Sequence, residues 1–121
     1  MRRGAAVLVV LALAAAAARA SCPPAGPVQV HWRSEPARIG VGQPFRLVLD
    51  LCPARARLLA LDATMPEHRH GMNYRPTLMA LGGGRWRADG LLWHMSGRWE
   101  LRFDVILDDQ PQTLRQAVML P

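Results

Sequence analysis

Arg98-Trp99-Glu100-Leu101-Arg102-Phe103-Asp104-Val105-Ile106-Leu107 is the most regular stretch of the sequence. Trp99, Leu101, Phe103 and Val105 fall on one side of an extended chain, and Arg98, Glu100, Arg102 and Asp104 on the other. A period of two with one apolar side marks a strand that buries one face. Turn residues bound it, Ser96-Gly97 before and Asp108-Asp109-Gln110-Pro111 after, and Thr113 to Leu120 then reads as a final strand. Working backward, Arg85 to Trp93 is a strand preceded by the turn Gly82-Gly83-Gly84. Tyr74 to Leu81 is another, with Pro76 pointing to a sheet edge. Arg57 to Thr64 is Leu-rich and less cleanly patterned, but Pro53 and Pro66 leave it too short for a helix. Phe45 to Cys52 carries Phe45, Leu47, Leu49 and Leu51 on one face, and Val28 to Trp32 alternates. About seven short strands with Gly/Pro turns and no helical period predict an all-β, antiparallel β-sandwich.

The chain has 121 residues, half of them hydrophobic, which suits one packed domain. Met1-Arg2-Arg3, the unbroken apolar run Ala5 to Ala18 and the small-residue pattern Ala18-Arg19-Ala20 have the layout of a secretory signal peptide. Fourteen apolar residues are too few to span a bilayer, which takes roughly 20. Lipidation of Cys22 is disfavoured by Arg19, where an aliphatic residue is wanted. The expected organisation is a signal peptide over 1–20 and a single exported domain over 21–121, with no stable membrane insertion after cleavage. All 15 basic residues are Arg. Cleavage leaves 12 of them against 9 acidic residues, scattered rather than blocked, which excludes nucleic acid as the main partner. Cys22 and Cys52 form an even pair in an oxidising compartment and read as a disulfide worth about 3 kcal/mol.

The chemically informative segment is Met65-Pro66-Glu67-His68-Arg69-His70-Gly71-Met72, which reads as a loop. In extended chain His68, His70 and Met72 would share one side, a comb of two imidazoles and a thioether, with Met65 able to fold back. His94-Met95 precedes a turn, and one of the two is expected to complete the cluster. Thioether is soft and suits Cu(I), imidazole suits both copper states, and zinc rarely takes thioether. The expected ligand set is therefore Met65, His68, His70, Met72, His94 and Met95, and the expected metal is copper, with Cu(I) favoured. Trp93 beside His94 is expected in the core, with a cation–π contact to bound Cu(I) as the alternative. Met79 and Met119 are expected as core filler, and His31 as solvated. An enzyme is not expected. Ser96 beside His94 lacks an orienting acid, Glu67 is a single carboxylate, and Gly82-Gly83-Gly84 lacks the rest of a phosphate-binding motif.

Ala63-Thr64-Met65-Pro66-Glu67-His68-Arg69-His70-Gly71-Met72, followed by Gly90-Leu91-Leu92-Trp93-His94-Met95-Ser96-Gly97-Arg98-Trp99-Glu100-Leu101, resembles the YtkA-like and FixH-like group of small exported β domains. The shared marks are an M-P-x-H-x-H-G-M loop and an M-x-G-x-W-x-L strand, within a likeness that covers roughly residues 40–107. The resemblance implies an immunoglobulin-like sandwich and a link to copper handling or to assembly of copper-containing respiratory enzymes. A looser likeness to CopC-like periplasmic copper carriers does not extend to their N-terminal Cu(II) site, because Ser21 is the expected first residue. The expected function is carriage or buffering of Cu(I) in the periplasm, with a periplasmic or membrane copper protein as partner. The alternative is a non-catalytic interaction domain that holds no metal.

Overall fold

The computed structural model describes residues 22–23 and 26–121, and the expected signal peptide lies outside them. Eight strands follow in order: β1 (Gln29–Glu35), β2 (Pro44–Cys52), β3 (Arg57–Met65), β4 (His70–Gly71), β5 (Thr77–Gly82), β6 (Arg85–Leu92), β7 (Gly97–Leu107) and β8 (Gln110–Leu120). They form two antiparallel four-stranded sheets, ordered β1-β2-β6-β5 and β4-β3-β7-β8. That is the strand order of an immunoglobulin-type sandwich, with β4 added at one edge. Among the described residues no helix is long and apolar enough to cross a membrane.

The alternating rows build the core as expected. Trp99, Leu101, Phe103 and Val105 of β7 are fully buried, and Phe45, Leu47, Leu49 and Leu51 of β2 are buried. Each such side chain contributes about 1.5–3 kcal/mol by leaving water. β7 lies between β3 and β8, and β2 between β1 and β6, so the most apolar strands are central. The β7–β8 hairpin turns on Asp108 and Asp109, whose φ angles of 49° and 62° mark a two-residue type I′ turn. Pro111 is therefore not part of the turn but belongs to β8.

Three segments depart from expectation. The eighth strand is β4, only two residues long and hidden in what reads as a loop. The fourth expected strand begins at Thr77 rather than Tyr74, just after Pro76, which cannot donate to a ladder. The loose pattern of β3 comes from a register shift between Leu58 and Ala60, which turns Leu59 outward to 50% exposure.

The methionines also separate differently from expectation. Met79 and Met119 are not core filler: they are 46% and 67% exposed, Met79 on a sheet edge and Met119 near the end of an outer strand. Met65 is the fully buried methionine among the described residues.

Cys22 and Cys52 are joined, with Cα atoms 5.4 Å apart, so the lead-in is stapled to the end of β2. Nearby, Arg55 donates to both carboxylate oxygens of Asp108, at 3.0 and 2.7 Å. These hydrogen bonds hold the Asp108 carboxyl below its usual range.

The two long sides of the sandwich are finished differently. On one side β1 and β8 are laced by glutamines. The Val28 amide donates to Gln112 at 2.9 Å, the Trp32 indole donates to Gln116, and the Gln116 amide donates to the Val30 carbonyl at 3.4 Å. On the other side β4 pairs with β3 only at Thr64 and Met65, and β5 pairs only with β6. A cleft of about 590 Å³ remains there, lined by Leu59, Leu61, Met72, Tyr74 and Leu78 among others.

Candidate functional site

At one end of the sandwich β3 runs out, turns and comes back as β4. Met65, the last residue of β3, stands opposite His70, the first of β4. Directly opposed residues of an antiparallel pair share a face, so His70 projects on the same inner side as Met65. The turn between them spans residues 66–69 and is closed by the His68 amide donating to the Met65 carbonyl at 3.1 Å. Arg69 sits in the left-handed region with φ 54°. The Met72 amide donates to the Ala63 carbonyl at 3.1 Å and holds the returning chain against β3.

This geometry replaces the extended comb. An extended chain would align His68, His70 and Met72, but the turn through Arg69 breaks the alternation. His68 is exposed on the turn, while His70 and Met72 are half-buried. Met65 is not available at the surface. Its side chain is 0% exposed and its Cε lies 2.7 Å from where a Cβ on Gly97 would stand. Gly97 has φ 126°, so both its backbone and the methionine above it require glycine.

The connection from β6 to β7 supplies the rest of the site. His94 is exposed and Met95 half-buried. The His94 ring centroid lies 5.1 Å from that of His70, and the His68 centroid 5.6 Å from that of His70. His70 is therefore the middle member of a row of three imidazoles. Two segments more than twenty residues apart meet here, as the expectation that His94 or Met95 joins the cluster requires. Met72 and Met95 both pack against the edge of the core.

Beneath the imidazoles lies a tryptophan pair. Trp93 and Trp99 stack with centroids 5.1 Å apart and planes 3° from parallel, and Phe45 meets Trp93 edge-on at 5.1 Å. Trp93 is fully buried, as expected. The indole that touches the histidines is Trp99. Its centroid is 6.2 Å from His70 and 5.6 Å from His94, in edge-to-face arrangements. Its Nε1 also donates to the Met95 carbonyl at 3.0 Å, which fixes the His94-Met95 segment. Sequence reasoning considered only Trp93 because it adjoins His94. The spacing Met95-Ser96-Gly97-Arg98-Trp99 carried the signal for Trp99, since four residues around a turn bring the indole back under the carbonyl. Gly42 donates its amide to the Trp93 carbonyl at 2.7 Å, and Arg98 approaches Glu67 at 3.7 Å, so both loops are tied down at their flanks.

Two buried polar atoms in this end find no hydrogen-bond partner, His70 Nδ1 and Trp93 Nε1. The His70 ring lies beside the rings of His68 and His94, and an unsatisfied buried group of this kind costs on the order of 1–3 kcal/mol. Among the described residues no three His, Cys, Asp or Glu side chains form a set that could hold a metal ion. No protein-family model, curated protein or solved structure matches this chain.

Proposed function

We propose that this protein is an exported copper carrier or buffer that holds Cu(I) between the β3–β4 turn and the β6–β7 connection. The observation that carries the reading is His70. Its Nδ1 is buried, lacks a hydrogen bond and stands in a row with His68 and His94. A buried nitrogen lone pair without a partner is explained if a metal ion accepts it. Imidazole with thioether is a donor set that favours Cu(I). His70 and His94 would be the nitrogen ligands, Met72 and Met95 the sulfur ligands, and exposed His68 the point of entry and exit. Met65 supports the site as packing and drops out of the ligand set. The protein performs no turnover. Cu(I) passes by ligand exchange to a periplasmic or membrane copper protein.

A second reading, a metal-free interaction domain, has in its favour that no three-residue His/Cys/Asp/Glu set is found among the described residues. A competition titration of Cu(I) against a colorimetric chelator, under reducing conditions, separates the two. Stoichiometric binding is expected, and it disappears in the His68→Ala/His70→Ala double variant while circular dichroism stays unchanged. Equal copper uptake by the folded variant would sink the copper reading.

A further inference from the structure

Eight of the twelve arginines among the described residues pair with a carboxylate of the chain. Arg38, Arg57, Arg69 and Arg75 do not. Arg57 begins β3 at the far end of the sandwich, and Arg75 lines the open cleft. Arg38 and Arg69 stand at the end that carries the imidazole row, and both are exposed. Arg69 lies in the β3–β4 turn between His68 and His70. Its φ of 54° is left-handed, a conformation that side chains other than Asn and Asp seldom adopt, and its guanidinium has no partner among the described residues. Arg38 lies in the β1–β2 connection, where the Gly42 amide donates to the carbonyl of Trp93, the neighbour of His94. With Val41 and Pro121 it lines a shallow cavity of about 290 Å³. The Ser96 hydroxyl, two residues beyond His94, donates to the Pro121 carbonyl at 3.2 Å and joins this cavity to the site. The acidic residues do not cancel the two charges. Glu67 is matched by Arg98 and Glu35 by Arg33. The carboxylates without an ion pair among the described residues stand elsewhere, Asp62 accepting from the Ala63 amide on β3 and Asp109 in the β7–β8 turn at the far end. A carboxylate at Pro121 offsets one guanidinium and leaves the other.

We propose that this end of the sandwich is the docking face for an acidic protein partner, a surface or segment rich in aspartate and glutamate that seats against Arg38, Arg69 and Val41 beside the imidazole row. This deepens the copper reading and rests on it: the acidic partner is the protein that exchanges Cu(I) with the site. Opposite charges around a transfer site align two proteins and speed their encounter without demanding a tight complex. Val41, 46% exposed, supplies an apolar contact within the charged rim. Imidazole and thioether are neutral donors, so bound Cu(I) adds its own positive charge to the same end. The loaded protein therefore holds an acidic partner more firmly than the empty one, which favours release after transfer.

The metal-free chain, purified after export, tests docking separately from metal binding. Fluorescence anisotropy is measured with a labelled synthetic peptide rich in aspartate and glutamate, and with its Asn/Gln counterpart. Saturable binding of the acidic peptide alone is expected, weakening as salt is raised. Arg69→Asn suits the left-handed turn, removes the charge and should weaken binding roughly two- to fivefold, the range of an exposed ion pair. Arg38→Gln combined with Arg69→Asn should weaken it roughly tenfold. Arg57→Gln changes the net charge as much as either single variant but stands at the far end, and it leaves binding unchanged. Unaltered unfolding midpoints show that the variants are folded. Equal weakening by Arg57→Gln overturns the proposal, because net charge alone would then hold the peptide. So does equal affinity for the two peptides, or capture by phosphatidylglycerol vesicles with no binding of the acidic peptide. The Cu(I) titration is read independently: docking that maps to Arg38 and Arg69 stands even if copper uptake fails, and copper uptake stands even if docking fails.

Discussion

Met65 and His70 stand opposite each other across one strand pair, yet they belong to different regions of the molecule. Met65 lies in a closely packed layer with Gly97, Trp93 and Trp99, fastened by the Trp99–Met95 and Gly42–Trp93 hydrogen bonds. His70 lies in the polar layer just above, with His68 and His94, where Nδ1 is left without a partner. Two residues in register, five positions apart, divide support from chemistry. The lower layer is closely packed around the unpaired Trp93 indole nitrogen and tolerates little change. The upper layer is incomplete and is where a ligand gains most.

The sharpest way to break this division is Trp99→Ala. It removes a fully buried indole, the tether to the Met95 carbonyl and the ring under both His70 and His94. Urea unfolding is expected to show a loss of about 3–5 kcal/mol. Cu(I) affinity should fall with it even in the fraction that stays folded.

A smaller perturbation tells support from ligand at Met65 itself. Met65→Ala opens a cavity and should cost about 2–5 kcal/mol. Met65→Leu nearly conserves volume and should cost less than about 1.5 kcal/mol. The leucine variant is expected to bind Cu(I) with unchanged stoichiometry. Loss of the metal from a well-folded leucine variant would return Met65 to the ligand set.

The smallest effect is expected far from both layers, at the Arg55–Asp108 pair. Asp108 has a lowered pKa in the folded chain because Arg55 donates to its carboxylate. A depressed acid binds its proton less readily folded than unfolded, so stability from it is present above its ordinary value, near 3.8. It disappears as pH falls through the lower folded value. Asp108→Asn should therefore flatten the acid limb of stability against pH slightly and leave neutral pH nearly untouched, since an exposed pair contributes little. A shift of the alkaline limb instead would contradict the assignment.

The strands of this sandwich are legible because alternation is local. Trp99 to Val105 and Phe45 to Leu51 announce their buried faces in sequence, and the glycine and aspartate turns announce the hairpins. What could not be read depends on contacts between distant segments. A two-residue strand has no period of its own, so β4 is visible only through its pairing with Thr64 and Met65. The irregularity in β3 is a register shift against β7, and a single strand cannot disclose it. The methionines are the clearest case. Met79 and Met65 look alike in sequence, but edge or interior position decides which is buried. Within the site, the nearness of His94 to His70 was anticipated from sandwich topology. The turn that sets His68 apart, and the indole of Trp99 beneath both rings, were not.

The glutamine lacing between β1 and β8 has a consequence for how this chain reaches its folded form. Gln112 and Gln116 close contacts 84 residues away in sequence, from the last strand to the first. The opening strand can pair with β2 early, but its outer border stays unfinished until nearly the whole polypeptide has been delivered. Contacts of such long range are slow to form. A chain arriving residue by residue therefore completes this border last, and its final hairpin acts as the clasp.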